Sequence, residues 1–255
     1  MEISSVKAVI TGGVSGLGLA VARHFVAAGG RVALIDIDDE KAAAVIAELG
    51  EASTYIRADV SNESEIEHAI SAASKYCDGI NVLVNCAGVL GPGRVLGREA
   101  PMPLEVFSRT VQINLVGSFN VAKAAAAVMA ENQPNEDGER GVIISTASIA
   151  AYEGQIGQAA YSASKGGIVG MILPMAREFT RFGIRVMAIA PGIFHTPMVD
   201  SLPEEIQQAL GNSVPFPKRL GQPVEFSSLV AHIVENTYLN GTTLRLDGAV
   251  RLEPK

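Results

Sequence analysis

Tyr161 stands four positions before Lys165 in AAYSASKGGIVG, a stretch otherwise made of alanine, serine, glycine and two aliphatic residues. On a helix, positions i and i+4 project from one face, so the phenol and the ammonium can meet at one place. A tyrosine with a pKa near 10 needs about three units of help, ~4 kcal/mol, to ionise at neutral pH. A cation at roughly 4 Å, in an effective dielectric of about 20, supplies ~4 kcal/mol. Lys165 is therefore expected to pull the Tyr161 pKa down and make the pair a general acid/base.

Most such pairs decorate a helix surface, and three further groups lift this one above that background. Ser148, just beyond the strand GVIISTAS, can hold a substrate oxygen beside the phenol. Asn114, an amide in the helical QINLVGSFN, needs a partner such as a backbone carbonyl or a water if it is buried. Thr196, in PGIFHTPM, and the N–H groups near it can meet a carboxamide.

A phosphate site is written near the start. TGGVSGLG places Gly12, Gly16 and Gly18 between a strand and a helix, where unpaired N–H groups and the positive end of the helix dipole hold a pyrophosphate. Asp36 ends the second strand, RVALID. A carboxylate there accepts hydrogen bonds from ribose hydroxyls and repels a 2′-phosphate, which favours NAD over NADP. Asp38 or Asp39 suits the capping role on the next helix better. ADV at Ala58–Val60 offers an acid and an N–H to an adenine edge, and NCAG brings Cys86, Ala87 and Gly88 to the end of the fourth strand. Asn85 either touches the cofactor or ties loops together.

These groups need a scaffold that delivers them to one edge. The chain alternates short apolar, β-branched runs with amphipathic helical ones, from VKAVIT and the helix after it to the final strand TTLRLDG. Continuous apolar strands alternating with helices imply an α/β fold with a doubly wound parallel sheet covered on both faces. We expect one domain spanning residues 1–255 with seven parallel strands and helices at Leu104–Ala130 and about Gln158–Arg181. An irregular Pro-rich excursion, Pro191–Pro217, is expected to act as a lid whose Ile193, Phe194, Met198, Val199 and Leu202 suit an acyl chain or a steroid.

Composition excludes several alternatives. The 255 residues carry a net charge of −7 without a Lys/Arg block, so no nucleic-acid footprint or membrane-surface patch is visible. No apolar run approaches a membrane span, and the opening residues show no signal segment; a soluble cytoplasmic protein is expected. Cys77 and Cys86 suit neither zinc nor a redox pair and read as small buried residues. Three of the four histidines, His24, His68 and His232, fall in helical stretches, and no metal site is expected.

In order and spacing, TGGVSGLG, NCAG, Ser148, YSASK and PG…T resemble the short-chain dehydrogenase/reductase family across nearly the whole chain. More narrowly, STASIAAYEGQIGQAAYSASKGGIVGM and VPFPKRLG…LNGTTLRLDGAVR are similar to the type II 3-hydroxyacyl-CoA dehydrogenases, also described as hydroxysteroid dehydrogenases. The resemblance implies Tyr161 as general acid/base, Lys165 as its partner and nicotinamide-ribose ligand, Ser148 as holder of the substrate oxygen, and Asn114 as support for a water relay. It further implies NAD contacts from Ser15, Leu17, Asp36, Asp59, Val60, Cys86, Phe194 and Thr196. His195 and the loop GPGRVLGREAPMP, on the substrate side, depart from the subgroup's pattern.

The expected activity is hydride transfer between NAD and a secondary alcohol or ketone, by preference a 3-hydroxyacyl/3-oxoacyl thioester. Its rivals are an NADPH-dependent oxoacyl-carrier-protein reductase, which Asp36 opposes, a hydroxysteroid dehydrogenase, and a non-catalytic nucleotide-binding regulatory protein. The alanine-rich helices, as in VAKAAAAVMA, leave little apolar area to cover a lone sheet and imply a second packing surface. Family resemblance makes that a homotetramer built on two isologous contacts.

Overall fold

The computed structural model describes residues 1–200 and 202–254; Ser201, Lys255 and the side chain of Met198 lie outside the description. The β-branched runs form strands β1 (Lys7–Thr11), β2 (Arg31–Asp36), β3 (Ser53–Arg57), β4 (Val82–Asn85), β5 (Gly141–Thr146), β6 (Ile184–Pro191) and β7 (Thr243–Leu246). They pair in the order β3-β2-β1-β4-β5-β6-β7, all parallel. The doubly wound sheet expected from the sequence is therefore present with all seven strands. Chain order reverses between β1 and β4, and at such a reversal the connections leave in opposite directions and open a crevice at the strands' carboxyl ends.

The helices are α1 (Gly16–Ala27), α2 (Asp39–Leu49), α3 (Glu63–Cys77), α4 (Leu104–Val111), α5 (Ser118–Met129), α6 (Ala159–Phe179), α7 (Pro197–Asp200), α8 (Glu204–Asn212) and α9 (Pro223–Glu235). Alternate strand residues serve opposite faces. Val9, Leu83, Ile143 and Val186 pack with Ile66 of α3, Val121 of α5 and Ile168 of α6. Ile10, Leu34, Val84 and Ile144 pack with Phe25 of α1 and Phe226 and Val230 of α9. Burial on both faces is why the strands read as continuous apolar runs. Asp38 caps α2 by accepting the Lys41 N–H at 3.0 Å, which leaves Asp36 free of that duty.

Two segments differ from expectation. The excursion Pro191–Pro217 is not irregular throughout, since it contains α7 and α8. Proline is tolerated at the start of a helix and acids favour its positive end; Pro197 opens α7, and Pro203 precedes α8 with Glu204 and Glu205 in its first turn. The loop after β4 folds into a small hairpin, with Leu96 bridged to Pro101 and Met102 N–H donating to Val95 O at 3.0 Å. Among the described residues, no helix is long and apolar enough to cross a membrane.

Candidate active site

The glycine loop is shaped by close approach. Gly12 has φ +63°, and a Cβ there would lie 2.9 Å from the backbone nitrogen of Ala87; one on Gly18 would lie 2.3 Å from the Gly12 oxygen. Only glycine lets the β1–α1 turn press on both NCAG and the start of α1. Gly13 is equally tight, 2.9 Å from the Ile10 oxygen; sequence reasoning passed over it, although the doublet after Thr11 signalled it. At Gly16 the backbone φ of +52° favours glycine, and a Cβ would stand in ordinary contact, 3.7 Å from the Thr196 methyl. The Ser15 side chain does not cap α1, and among the described residues the first-turn N–H groups of Gly16, Leu17 and Gly18 have no hydrogen-bond acceptor. A cradle lined by N–H groups at a helix N-terminus fits a pyrophosphate.

Asp36 holds the rim. Its carboxylate accepts N–H groups of Ile37 at 2.8 Å, Asp38 at 3.3 Å and Val14 at 3.4 Å, which aims one oxygen at the glycine loop. Two cations near the end of β2 are already engaged: Lys41 with Asp38 at 2.6 Å and Arg57 with Asp39 at 3.1 Å. Asp59 is turned partly inward, its Oδ1 accepting from Ser61 N–H and hydroxyl at 2.9 and 2.7 Å, while its own N–H is taken by Glu65 at 2.8 Å. Among the described residues the Val60 N–H makes no hydrogen bond, so of the two N–H groups Val60 carries the one free for an adenine edge.

NCAG is braced from below. Thr11 Oγ1 accepts the N–H groups of Cys86 and Ala87, both at 3.2 Å. Asn85 is buried and donates to Ser118 O at 3.1 Å and Ser145 Oγ at 3.4 Å, so it ties loops together. Cys86 is half-buried as a residue rather than buried, and its thiol accepts from Thr146 Oγ1 at 3.4 Å. Desolvation pushes that thiol up to about 11. A Cβ on Gly88 would meet Asn114 Oδ1 at 3.1 Å and Lys165 Nζ at 3.7 Å, so this glycine is the point where the amide and the ammonium approach.

The catalytic candidates converge from three elements. Ser148 follows β5 and caps the next turn, its Oγ accepting the Ala150 N–H at 3.1 Å; its own proton stays available to donate. Tyr161 and Lys165 lie in the first turns of α6, on one side as their spacing predicts. Lys165 is buried and donates to Thr146 O at 2.6 Å. Asn114 sits in a π-helical turn, Gln112–Gly117, between α4 and α5. Its amide accepts the Val89 N–H and donates to Val89 O, both at 2.8 Å, and donates to Ser164 Oγ at 3.0 Å. That exhausts the amide protons, so Asn114 locks the β4 loop to α6, and its expected carbonyl partner is Val89.

One expectation is overturned. The Tyr161 pKa stands above the ordinary tyrosine value, not below it, because burial penalises the phenolate more than the Ser148 hydrogen bond favours it. Burial also drives Lys165 down to about 8. The ammonium lies 5.7 Å from the centre of the Tyr161 ring, so its charge is directed at the ring and the Thr146 carbonyl. Attraction between the two charged forms is outweighed by the desolvation of both partners, which spacing alone does not reveal.

Across the crevice, Phe194 is buried and pairs with Gly221, where a Cβ would touch the ring at 2.7 Å. Thr196 faces Gly16, and its carbonyl accepts from Val199 and Asp200 at 2.9 and 2.8 Å to start α7. His195 pairs with Asp200 at 3.1 Å on the outer side. The structure thus brings Asn114, Lys165 and Gly88 together, with the Tyr161 ring beside the ammonium and Thr196 against the glycine turn. Among the described residues, no cluster of three or more His, Cys, Asp or Glu side chains could hold a metal.

The family model described as short chain dehydrogenase matches residues 6–207. The human 3-hydroxyacyl-CoA dehydrogenase type-2 is 48% identical over 99% of this chain and 98% of its own length. Its Drosophila melanogaster namesake is 44% identical over 99% and 100%. The crystal structure of 3-hydroxyacyl-CoA dehydrogenase type-2 from Mycobacterium avium superposes with a TM-score of 0.93 at 41% identity, covering 97% of this chain and 96% of that one. With the sheet order, the glycine turn and the Ser148–Tyr161–Lys165 geometry beside these matches, the chain belongs to the short chain dehydrogenase family and is an oxidoreductase acting on CH–OH groups.

Proposed function

We propose that the chain interconverts 3-hydroxyacyl-CoA and 3-oxoacyl-CoA thioesters with NAD(H). The observation that carries this reading is the convergence of Ser148, Tyr161, Lys165 and Asn114 in a chain 44–48% identical, over its full length, to relatives named for that substrate. NAD rather than NADP is supported by Asp36 at the rim and by the engagement of Lys41 and Arg57 with other acids.

In this assignment Gly12, Ser15, Gly16, Leu17 and Gly18 hold the pyrophosphate, Asp36 the adenosine ribose, and Asp59 and Val60 the adenine. Cys86, Ala87 and Gly88 would offer backbone to the nicotinamide ribose, Tyr161 and Lys165 would hydrogen-bond its hydroxyls, and Phe194 and Thr196 would hold the carboxamide. The bound cofactor supplies or accepts the hydride. In reduction, the Tyr161 hydroxyl gives its proton to the carbonyl oxygen while Ser148 donates a hydrogen bond to the same atom. In oxidation, the Tyr161 phenolate takes the proton back from the hydroxyl. Lys165 stabilises the phenolate, and Asn114 holds the β4 loop against α6. Helices α7 and α8 form the lid over the acyl chain.

Assembly as a homotetramer is supported by apolar side chains left outside the fold, among them Leu104, Val116, Phe119 and Leu173 on the α4–α6 side and Val224 and Tyr238 near α9. Sedimentation of a stable 26.6 kDa species at micromolar concentration would refute it. The substrate reading is tested by kcat/KM for short and long 3-oxoacyl-CoA thioesters and for oxosteroids, each with NADH and NADPH. A preference for a thioester with NADH is expected; preference for a steroid, or for NADPH, would overturn it.

A further inference from the structure

The segment between Ser148 and Tyr161 forms a wall beside the catalytic groups and is gripped from outside. Arg245 of β7 makes a two-pronged bond to Glu153, Nη1 to Oε1 at 2.8 Å and Nη2 to Oε2 at 2.9 Å. Its Nε donates to Asp247 at 2.7 Å, and its guanidinium lies 5.2 Å from the centre of the Tyr152 ring. Arg251 adds contacts to Asp247 at 3.2 Å and Glu153 at 3.4 Å. Single exposed ion pairs contribute little, but a planar fork shared by two acids and stacked on an aromatic ring fixes geometry.

The tail grips the same wall. Gln155 Nε2 donates to Glu253 O, and the Ile156 N–H donates to Pro254 O, both at 3.0 Å. Val250 and Leu252 pack on Ile149, the residue after Ser148, together with Val214 at the far end of the lid. The wall in turn presses on the helix that carries the phenol: a Cβ on Gly154 would lie 2.1 Å from Ser162 Oγ. That oxygen, next to Tyr161, is buried and among the described residues has no hydrogen-bond partner, so contact rather than bonding sets its place.

We propose that Arg245 is a positioning residue. Through Glu153, and with the tail segment 248–254, it clamps the wall between Ser148 and Tyr161 and so sets the affinity for the ketone without touching the cofactor. The proposal rests on the roles assigned above to Ser148 and Tyr161.

The test uses Arg245→Met and Arg245→Lys in the full chain. With Arg245→Met, amide exchange at Gln155–Gln158 is expected to quicken by about tenfold. KM for the ketone is expected to rise about tenfold, with the NADH dissociation constant within about twofold of the wild type. Arg245→Lys, which keeps the charge but loses the fork, should fall between. Combining Arg245→Met with Glu153→Gln should add little to either change alone.

Unchanged exchange in residues 155–158, or a KM that does not move, would overturn the clamp. So would NADH affinity and melting temperature falling in step with KM, since that is general destabilisation. Should Arg245→Met fail to fold, Gln155→Ala removes one tail bond and is read the same way, with smaller shifts. If the wild type reduced no 3-oxoacyl thioester, the substrate reading would fail while amide exchange still decided the clamp.

Discussion

The Lys165 ammonium sits 5.7 Å from the centre of the Tyr161 ring, and its hydrogen bond goes to the Thr146 carbonyl at 2.6 Å. Both groups are desolvated, so each resists its charged form: Tyr161 is pushed up, and Lys165 is pushed down to about 8. Before any ligand enters, the stable arrangement near neutral pH is a protonated phenol beside a marginally stable ammonium. That arrangement is ready to donate a proton to a ketone.

The pH profile of reduction follows. Burial raises the Tyr161 pKa, whereas Lys165 loses its charge above about pH 8. We expect kcat/KM for NADH, which reports the free enzyme, to be level below pH 8 and to fall about tenfold per unit well above it. Initial rates from pH 6 to 10 check this; a level profile to pH 10 would contradict the role given to Lys165.

Lys165 also costs stability, and the sign is definite. Its folded value of about 8 lies below the ordinary 10.5, so between these the unfolded chain holds the proton more firmly and stability rises with pH. Below pH 8 the full cost applies, on the order of 3 kcal/mol, and the bond to Thr146 returns about 1 kcal/mol. Lys165→Met should therefore melt about 4–8 °C above the wild type at pH 7. The gap should narrow toward pH 10, and turnover should be lost. Calorimetry showing a lower melting temperature at pH 7 would refute this.

Asp36 sets cofactor choice by charge. Asp36→Ala removes the acceptor for the ribose and the repulsion of a 2′-phosphate together. We expect kcat/KM with NADH to fall about tenfold to a hundredfold, with NADPH improving relative to it. An unchanged NADH/NADPH ratio would remove Asp36 from the ribose site.

The sheet was legible because strands buried on both faces leave unbroken apolar runs, Gly12 and Gly18 because backbone approach admits no side chain, and Gly16 because its φ of +52° favours glycine. Tyr161, Lys165 and Ser148 were legible through spacing and position at strand ends. Helices α7 and α8 were not: the Pro-rich stretch Pro191–Pro217 reads as irregular, although at a helix start proline is favourable. Nor was the direction of the Tyr161 shift, because burial depends on what covers a residue, and α6 is covered by segments distant in sequence. The grip of Arg245 on Glu153, 92 positions apart, leaves no local pattern.

The most direct measurement is NADH oxidation by a short 3-oxoacyl-CoA in the wild type and in Tyr161→Phe, with NADH binding followed by fluorescence in both. The account predicts turnover in the wild type and a loss of about 10²–10⁴-fold in Tyr161→Phe, the usual span for a general acid, with NADH affinity kept within about twofold. Turnover in Tyr161→Phe within about tenfold of the wild type would contradict it.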